Sequence, residues 1–403
     1  MPRPIRHPLL LLALPLAVLL AAAGCGVSYK LPTEIKVDRG TPKSESYQMV
    51  DTWTGLTGIN DLLMLSQVVG PSQLFMLFND GGTGPGSHGT VLQYRTTVPT
   101  PLPVEFLNML NPVRMSSGGN RLFVLDQGDT CAARYDSTRF TCRADDTNPP
   151  DNRPYRIWDY SKTWRVREYG LLGGDTISTF TDTTMAWVNG VAADNEGRVY
   201  VSGLQIVVVV DPLISGLHTR ETHFQINRYA RGKRYPGVVE DPSKGVTPYD
   251  RNMPGCLWHR DTTWTIFEGS GIGSIVDARG LACGPKTAQA LHVADYGKDW
   301  AQKISVGTFP VGLFEVDFGD NLSLKGPKSV AVDQAGYLYV IDNGNLRVLR
   351  YSPSGDYVQR VDVDPDEQGQ RFRDPVGVAV NDSVAYVADR ALGKVVRYVR
   401  RSL

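Results

Sequence analysis

One segment near the C-terminal end of the chain is written twice. Residues 326–361 read GPKSVAVDQAGYLYVIDNGNLRVLRYSPSGDYVQRV, and residues 374–398 begin the same pattern again as DPVGVAVNDSVAYVADRALGKVVRY. Each copy has a Pro, a short apolar run, a turn, a second apolar run that closes on Asp, a polar loop and a basic–apolar run. A repeat of this kind predicts a fold built from stacked copies of one unit.

The first copy predicts four strands, at residues 329–333, 337–342, 346–352 and 356–363. Each is rich in β-branched and aromatic residues and is bounded by Gly, Asn or Asp. The first two strands recur at 56–81, 111–129, 188–203 and 277–299, which with 374–389 makes six copies. We therefore predict an all-β, six-bladed β-propeller. Seven blades is the alternative, because the interval between residues 199 and 291 is nearly two units long.

The last copy stops after its third strand. The segment SESYQMVDTW at residues 44–53 is similar to the fourth strand of the preceding copy, GDYVQRVDV. We therefore expect this N-terminal segment to pair with the last blade and close the ring, which leaves only short, protected sheet edges.

This pattern resembles the NHL-repeat family of β-propellers over residues 45–400, most clearly in the two C-terminal copies. The resemblance implies a ring of four-stranded blades. It also implies that ligands bind at the face carrying the loops that follow the second strand of each blade.

The first residues, MPRPIRHPLLLLALPLAVLLAAAGCG, have a positive start and an apolar stretch at 9–23 too short to span a bilayer comfortably. The ending Ala22-Ala23-Gly24-Cys25 resembles the lipobox of bacterial lipoproteins. That resemblance implies removal of residues 1–24, acylation (palmitate) of Cys25, a tether over 25–43 and a propeller over 44–403. It places the protein at the bacterial cell envelope, at the outer membrane if Gram-negative, because Gly26 rather than Asp follows the cysteine. An ordinary secretory peptide is the alternative.

The mature chain keeps Cys131, Cys142, Cys256 and Cys283, an even number that suits an oxidising compartment. We expect disulfides within the two local pairs, Cys131–Cys142 and Cys256–Cys283. The sequence contains no C-x-x-C spacing, the pattern that would indicate a metal or redox site. Lys plus Arg and Asp plus Glu number 42 each, so the net charge gives no argument for nucleic acid as a partner.

The loop after the second strand begins with an Asp in four copies: Asp126, Asp295, Asp342 and Asp389. These carboxylates can accept backbone hydrogen bonds within the blade, or they can present a ring of ligand contacts on one face. The Gly-rich loop of the first copy adds the candidate contacts Asn79, Asp80 and His88.

Two stretches, near 143–183 and 213–268, do not match the repeat. The second holds a cationic and aromatic cluster with Arg228, Tyr229, Arg231 and Arg234, and the first holds Trp158 and Trp164. Such residues suit contact with anionic glycans, sugars or proteins, although solvated loops and aromatics that cover the side of the ring are alternatives.

We therefore expect a monomeric, lipid-anchored module that binds a protein, peptide or glycan and takes no cofactor. The alternative is a metal-dependent hydrolase or lyase, resembling lactonase-type or peptidyl-hydroxyglycine-lyase propellers, with Ca or Zn on the axis. Asn189 and Asp277 fall where the ligands of the lactonase type lie, but no full ligand set matches.

Overall fold

A computed structural model describes residues 45–65, 72–79, 89–106, 109, 111–127, 164–174, 176–182, 185–210, 218–234, 249–250, 257–285, 290–307, 310–316, 323–361 and 372–402. The signal peptide, the tether and several predicted site residues lie outside these ranges: Cys25, Asp80, His88, Cys131, Cys142, Trp158 and Cys256.

The strands form six antiparallel sheets. Blade 1 contains β2 (Ile59–Leu65), β3 (Gln73–Asn79), β4 (Gly89–Arg95) and β5 (Pro101–Phe106). Blade 2 contains β6 (Pro112–Gly118), β7 (Arg121–Asp126), β8 (Arg165–Gly170) and β9 (Ser178–Phe180). Blade 3 contains β10 (Met185–Ala193), β11 (Val199–Val210) and β12 (His218–Arg234), and both β13 (Tyr249–Asp250) and β14 (Leu257–Phe267) pair with β12.

Blade 4 contains β15 (Ala278–Cys283), β16 (Ala290–Asp295), β17 (Trp300–Ser305) and β18 (Gly312–Val316). Blade 5 contains β19 (Pro327–Val332), β20 (Leu338–Asp342), β21 (Arg347–Tyr351) and β22 (Tyr357–Arg360), with one 3-10 turn at Asn343–Asn345. Blade 6 contains β23 (Pro375–Val380), β24 (Val384–Asp389), β25 (Lys394–Ser402) and β1 (Glu45–Trp53).

The first strands of the blades line a central channel. They contact one another in chain order, β2, β6, β10, β15, β19 and β23, and β23 contacts β2 again. The prediction of a six-bladed propeller is therefore confirmed, and the alternative of seven blades is wrong.

The N-terminal strand closes the ring, as predicted. β1 pairs antiparallel with β25 from Glu45↔Ser402 to Trp53↔Val395. The buried Trp53 ring lies 6.2 Å from the Tyr94 ring of blade 1 and 5.6 Å from the Tyr386 ring of blade 6. One strand thus ties the last blade to the first.

The apolar runs that defined the repeat are the first and second strands of the blades. β16 and β23 are buried at every position, because blades pack on both of their faces. Among the described residues, no helix is long and apolar enough to cross a bilayer.

The first strand of every blade has a β-bulge at the same place, near its start. The register shifts between Ile59/Asp61, Pro112/Arg114, Val188/Gly190, Ala278/Gly280, Pro327/Ser329 and Pro375/Gly377. A bulge takes one residue out of the ladder and re-aims its side chain. The residue after the bulge is often Gly, and a Cβ on Gly280 would lie 2.7 Å from the Ser329 Cα of the next blade. Glycine there lets neighbouring inner strands approach closely.

The two stretches outside the repeat contribute blade strands. Within 143–183, β8 and β9 are the outer strands of blade 2, and within 213–268, β12 and β14 are outer strands of blade 3. β11 and β12 pair from Val199↔Tyr229 as far as Val210↔His218, whereas β10 pairs with β11 only as far as Gln205. The excess length therefore includes a hairpin that extends beyond the inner strand of blade 3.

The expected pairing of Cys256 with Cys283 is wrong. Cys283, the last residue of β15, carries a free thiol in this structure. Cys283 packs against an apolar cluster of blades 3 and 4, and burial, with a smaller effect of Asp194, raises the pKa of the thiol well above its usual value. The pairing of Cys131 with Cys142 lies outside the described residues.

Candidate functional site

The four repeated Asp residues serve their own blades. Asp126, Asp295, Asp342 and Asp389 each end the second strand and are 0% exposed. Asp342 accepts a hydrogen bond from the Lys325 backbone N–H at 2.7 Å and pairs with Arg347 Nε at 2.6 Å. These carboxylates tie the second strand to the segment entering the first strand, and their burial leaves none of them at the surface for a ligand.

Blades 2 and 4 repeat this arrangement. Asp126 accepts from the Asn111 backbone N–H at 2.7 Å, and Asp295 accepts from the Val276 and Asp277 backbone N–H groups at 2.9 Å. In blade 1, Asn79 donates to the Pro112 carbonyl at 3.3 Å and also to the side chain of Asn111. Asn79 therefore links two blades rather than standing free on a loop.

The predicted cationic and aromatic contacts of blades 2 and 3 are mostly buried. Arg228 donates to Asp261 and to the carbonyls of Val306 and Gly307 at 2.9 Å, and Tyr229 donates to Asp182 at 2.7 Å. Trp164 is 2% exposed. As accessible binding residues these three predictions are wrong, because their polar atoms are paired inside blades.

Arg231 has a similar environment. Its guanidinium donates to Ser178 Oγ at 2.7 Å and to Glu168, and it lies 5.2 Å from the centre of the Trp258 ring. Arg234 is described only through its backbone, at the end of β12, where it pairs with Tyr249.

A polar cavity of about 370 Å³ lies at the end of the channel where the inner strands begin, here called the mouth. Four of the six bulge residues line it, and they differ in chemistry: Asn60, Val113, Asn189 and Arg279. Gln127, Trp187, Phe224, Asp277 and Arg114 complete the lining. The bulges thus bring side chains from four blades to one place.

Arg114 spans the channel just inside the mouth. Its Nη1 donates to the carbonyls of Asn60 at 3.1 Å and Val376 at 3.3 Å, and its Nη2 donates to the carbonyl of Lys328 at 3.2 Å. One guanidinium of blade 2 therefore holds the inner strands of blades 1, 6 and 5.

Asp61 lies beside Arg114, with 3.8 Å between the carboxylate and Nη1. It also accepts a hydrogen bond from the Met115 backbone N–H at 2.9 Å. Burial nevertheless raises the pKa of Asp61 to about 6, against the opposing effects of Arg114 and the backbone donors. The same burial lowers the pKa of Arg114.

The rest of the channel forms a second cavity of about 660 Å³. Its walls are the inner strands, with apolar residues such as Leu63, Val191, Val332 and Val380. Arg114 and Asp61 both line this cavity, and Arg114 also lines the mouth, so their ion pair lies where the two cavities meet.

Cationic groups outnumber carboxylates around the mouth. Asp277 pairs with Arg279 at 2.7 Å and accepts from Asn189 Nδ2 at 2.9 Å. Beside the mouth, in blades 5 and 6, Asp374 is shared between Lys328 at 3.0 Å and Arg390 at 2.7 Å. With Arg114 and its partner Asp61, four cations stand among three carboxylates in the described residues here, and this excess of positive charge favours ligands carrying negative charge.

Asn189 and Asp277, the two positions implied by the lactonase resemblance, do not form a metal site by themselves. Asn189 and Asp277 do meet, as their positions predicted, but Asp277 is already paired with the Arg279 guanidinium. In the described part of the chain, no group of three His, Cys, Asp or Glu side chains is arranged to hold a metal ion. A neighbouring cation also disfavours a second positive ion there.

Most of the mouth was missed by sequence reasoning, including Arg114, Trp187, Arg279, Lys328, Asp374 and Arg390. A signal existed in the repeat itself. At the bulge position the six copies read Asn60, Val113, Asn189, Arg279, Lys328 and Val376, whereas the following positions return to small or β-branched residues in most copies. The position that varies among the copies is the bulge position, and four of its six residues line the mouth.

No protein-family model matches the chain, and no curated protein matches it by sequence. Similar solved structures include the PQQ-bound aldose sugar dehydrogenase of Streptomyces coelicolor, with 12% identity, 90% of this chain and 100% of that chain covered, and a TM-score of 0.46. Another is a catalytically inactive virginiamycin B lyase of Staphylococcus aureus with quinupristin, with 10% identity, 88% and 99% covered, and a TM-score of 0.42. At these scores, the assignment of a six-bladed β-propeller rests on the sheet order of the chain itself.

Proposed function

We propose that the chain is a binding module, anchored to the bacterial cell envelope through acylated Cys25, whose ligand docks at the mouth of the channel. The ligand is a polar envelope component, peptide or glycan, that carries an acidic group. The observation that carries this proposal is the excess of cations over carboxylates in and beside the mouth, where Arg114, Arg279, Lys328 and Arg390 stand among Asp61, Asp277 and Asp374.

The surrounding structure supports binding because it orders these groups in advance. Lys328 and Arg390 are both fixed by Asp374, and Arg279 is fixed by Asp277 and lies 3.5 Å from the centre of the Tyr296 ring. Side chains already held in one geometry lose little conformational entropy when a ligand binds. The bulges also place Arg279 and Lys328 outside the ladder, where they cost the blades no backbone hydrogen bond.

The proposal is tested by probing arrays of envelope glycans and peptides with the mature chain carrying Cys25→Ser. Captured ligands should bear a carboxylate or phosphate, and Arg279→Ala should weaken capture at least tenfold. Arg360→Ala is the matched control, since it removes an exposed cation on an outer strand and should leave capture unchanged. Equal binding by wild type and Arg279→Ala would overturn the assignment of the mouth.

The anchor is tested separately. Mass spectrometry of the purified full chain should find acyl groups on an N-terminal Cys25, and Cys25→Ser should move the protein from the membrane to the soluble fraction. Recovery of Cys25→Ser in the membrane would contradict the proposed anchor without affecting the mouth.

A further inference from the structure

Blade 3 departs from the repeat at the mouth. In blades 2, 4, 5 and 6 the residue just before the bulge of the first strand pairs with the buried Asp that ties the blade together. In blade 3 that place is taken by Gly203, which pairs with Val188. Blade 3 therefore lacks the carboxylate that ties blades 2, 4, 5 and 6 together at this point. Local departures from the pattern of a fold are expected at functional sites.

The departure makes room for Trp187. A Cβ on Gly203 would lie 1.9 Å from the Trp187 carbonyl oxygen, so only glycine permits this approach. β10 is bulged twice, between Met185/Trp187 and between Val188/Gly190. In the other five blades, the residue just before the inner strand's first residue is Gly58, Asn111, Asp277, Gly326 or Asp374. Trp187 is thus an aromatic at a place where the other copies have small or polar residues.

Trp187 is exposed and held in one orientation. Its side chain is 48% exposed, although it lines the mouth cavity, and its indole N–H donates to Asn189 Oδ1. Large aromatic side chains are usually mostly buried, because burial removes their apolar surface from water. Here the hydrogen bond fixes the ring in the lining of the mouth.

Trp187 begins a chain of hydrogen bonds along one wall of the mouth. Asn189 donates to Asp277 at 2.9 Å, Arg279 donates to Asp277 through Nε at 2.9 Å, and the guanidinium lies over Tyr296. The wall therefore combines an amide, a carboxylate and a guanidinium, all held in place, beside an aromatic ring. Arg114 and Gln127 lie elsewhere in the same cavity lining.

We propose that the mouth is a saccharide subsite for an acidic pyranose, such as a hexuronic acid residue of an envelope glycan. One face of the sugar, with its C–H groups, packs on Trp187, because the aromatic face attracts the partial positive charge of those hydrogens. Sugar hydroxyls bond to Asn189, Asp277 and Gln127, which supply both donors and acceptors. The sugar carboxylate pairs with Arg279, since both Nη groups of Arg114 already donate to main-chain carbonyls.

The size of the cavity favours a sugar ring over an extended peptide. A volume of about 370 Å³ lies near the lower end of the range for small-molecule sites, roughly 300–1,000 Å³. Peptides commonly add to a free sheet edge or lie along a groove. The mouth instead offers side chains converging from separate blades.

This inference rests on the proposed function, and its test uses defined probes on the mature Cys25→Ser chain. Methyl glucuronide, methyl glucoside and acetate are titrated by saturation-transfer NMR and calorimetry. We expect saturable binding of the glucuronide, binding of the glucoside at least tenfold weaker, and no saturable binding of acetate. Trp187→Ala should weaken glucuronide binding at least tenfold, whereas Trp187→Phe, which keeps an aromatic face, should retain most of it.

Three results overturn the saccharide subsite. They are glucuronide binding that is equal in wild type and Trp187→Ala, acetate binding as tight as that of the glucuronide, and absence of glucuronide binding. If a peptide captured from the arrays still depends on Arg279 in that case, the proposed function stands and the sugar assignment falls. If nothing captured depends on Arg279, both fall.

Discussion

Arg114 on blade 2 donates through Nη2 to the main-chain carbonyl of Lys328 on blade 5, at 3.2 Å across the channel. The same guanidinium also bonds to carbonyls of blades 1 and 6. Packing joins each blade mainly to its neighbours, so a contact across the axis is an additional brace.

Arg114→Met should destabilise the fold by about 3 kcal/mol or more, because it leaves Asp61 as a buried charge without its partner. Urea unfolding at pH 7 measures this loss. Adding Asp61→Asn to Arg114→Met should recover part of it, since the amide oxygen can still accept from Met115. A double variant no more stable than Arg114→Met would contradict the ion-pair explanation.

Asp61 should make stability depend on pH. Burial raises its pKa to about 6, so between about pH 4 and 6 the folded protein keeps a proton that the unfolded chain has lost. Its contribution is fully present below pH 4 and is lost as the pH rises through 6. The free energy of unfolding of wild type minus that of Asp61→Asn should therefore fall between pH 4 and 6 and stay constant above 7. Parallel stability curves would show that Asp61 has an ordinary pKa.

Asp342→Ala should destabilise blade 5 by about 3 kcal/mol, because it removes the buried carboxylate that accepts from the Lys325 backbone N–H and pairs with Arg347 Nε. Asp356→Ala is the control, since that carboxylate lies in an exposed turn. Thermal unfolding should show a lower Tm for Asp342→Ala and little change for Asp356→Ala. Similar Tm values for the two variants would argue against the blade role of the repeated Asp.

Trp53→Ala should cost about 3–5 kcal/mol, the range for truncating a large buried aromatic. The lost contacts join β1 to blades 1 and 6, so limited proteolysis should now cut first near the N-terminal strand. Val50→Ala on the same strand is 47% exposed in wild type and should behave as wild type. Equal protease resistance of the two variants would mean that Trp53 does not hold the closure.

Gly203→Ala should disturb the mouth more than the fold. The added methyl would meet the Trp187 carbonyl at 1.9 Å and push the start of β10 away. The fluorescence of the Trp187 indole is obtained by subtracting the spectrum of a Trp187→Phe variant, once in wild type and once in Gly203→Ala. The emission maximum obtained in Gly203→Ala should be shifted from that in wild type. Gly271→Ala is the control, because a Cβ there meets nothing within 4 Å. An unchanged Trp187 spectrum in Gly203→Ala would contradict this coupling.

The blades were predictable because each needs the same few features in every copy. Apolar runs buried on both faces and a turn residue at each end are visible in residues 326–361 and 374–398 without any structure. The closing strand was predictable for the same reason, since 44–53 repeats the pattern that the last copy lacks.

The mouth was not predictable in this way because the bulge position that contributes most to it carries a different residue type in different copies. Arg114 directly follows the bulge of β6, and its three acceptors are carbonyls of blades far apart in sequence. The repeated Asp residues were candidate ligand contacts, but they are buried and stabilise the blades. The prediction for Arg228 was wrong for the same reason. This residue of the cationic cluster forms an ion pair with Asp261 inside a blade.

The six aligned bulges separate what the propeller needs from what the mouth presents. At each bulge one residue lies outside the hydrogen-bonded ladder, so its replacement leaves the sheet register intact. For the proposed binding function, the four bulge residues that line the mouth are therefore exchangeable, and a change of ligand preference requires no change of scaffold. Descendants of such a chain can diverge in specificity one blade at a time.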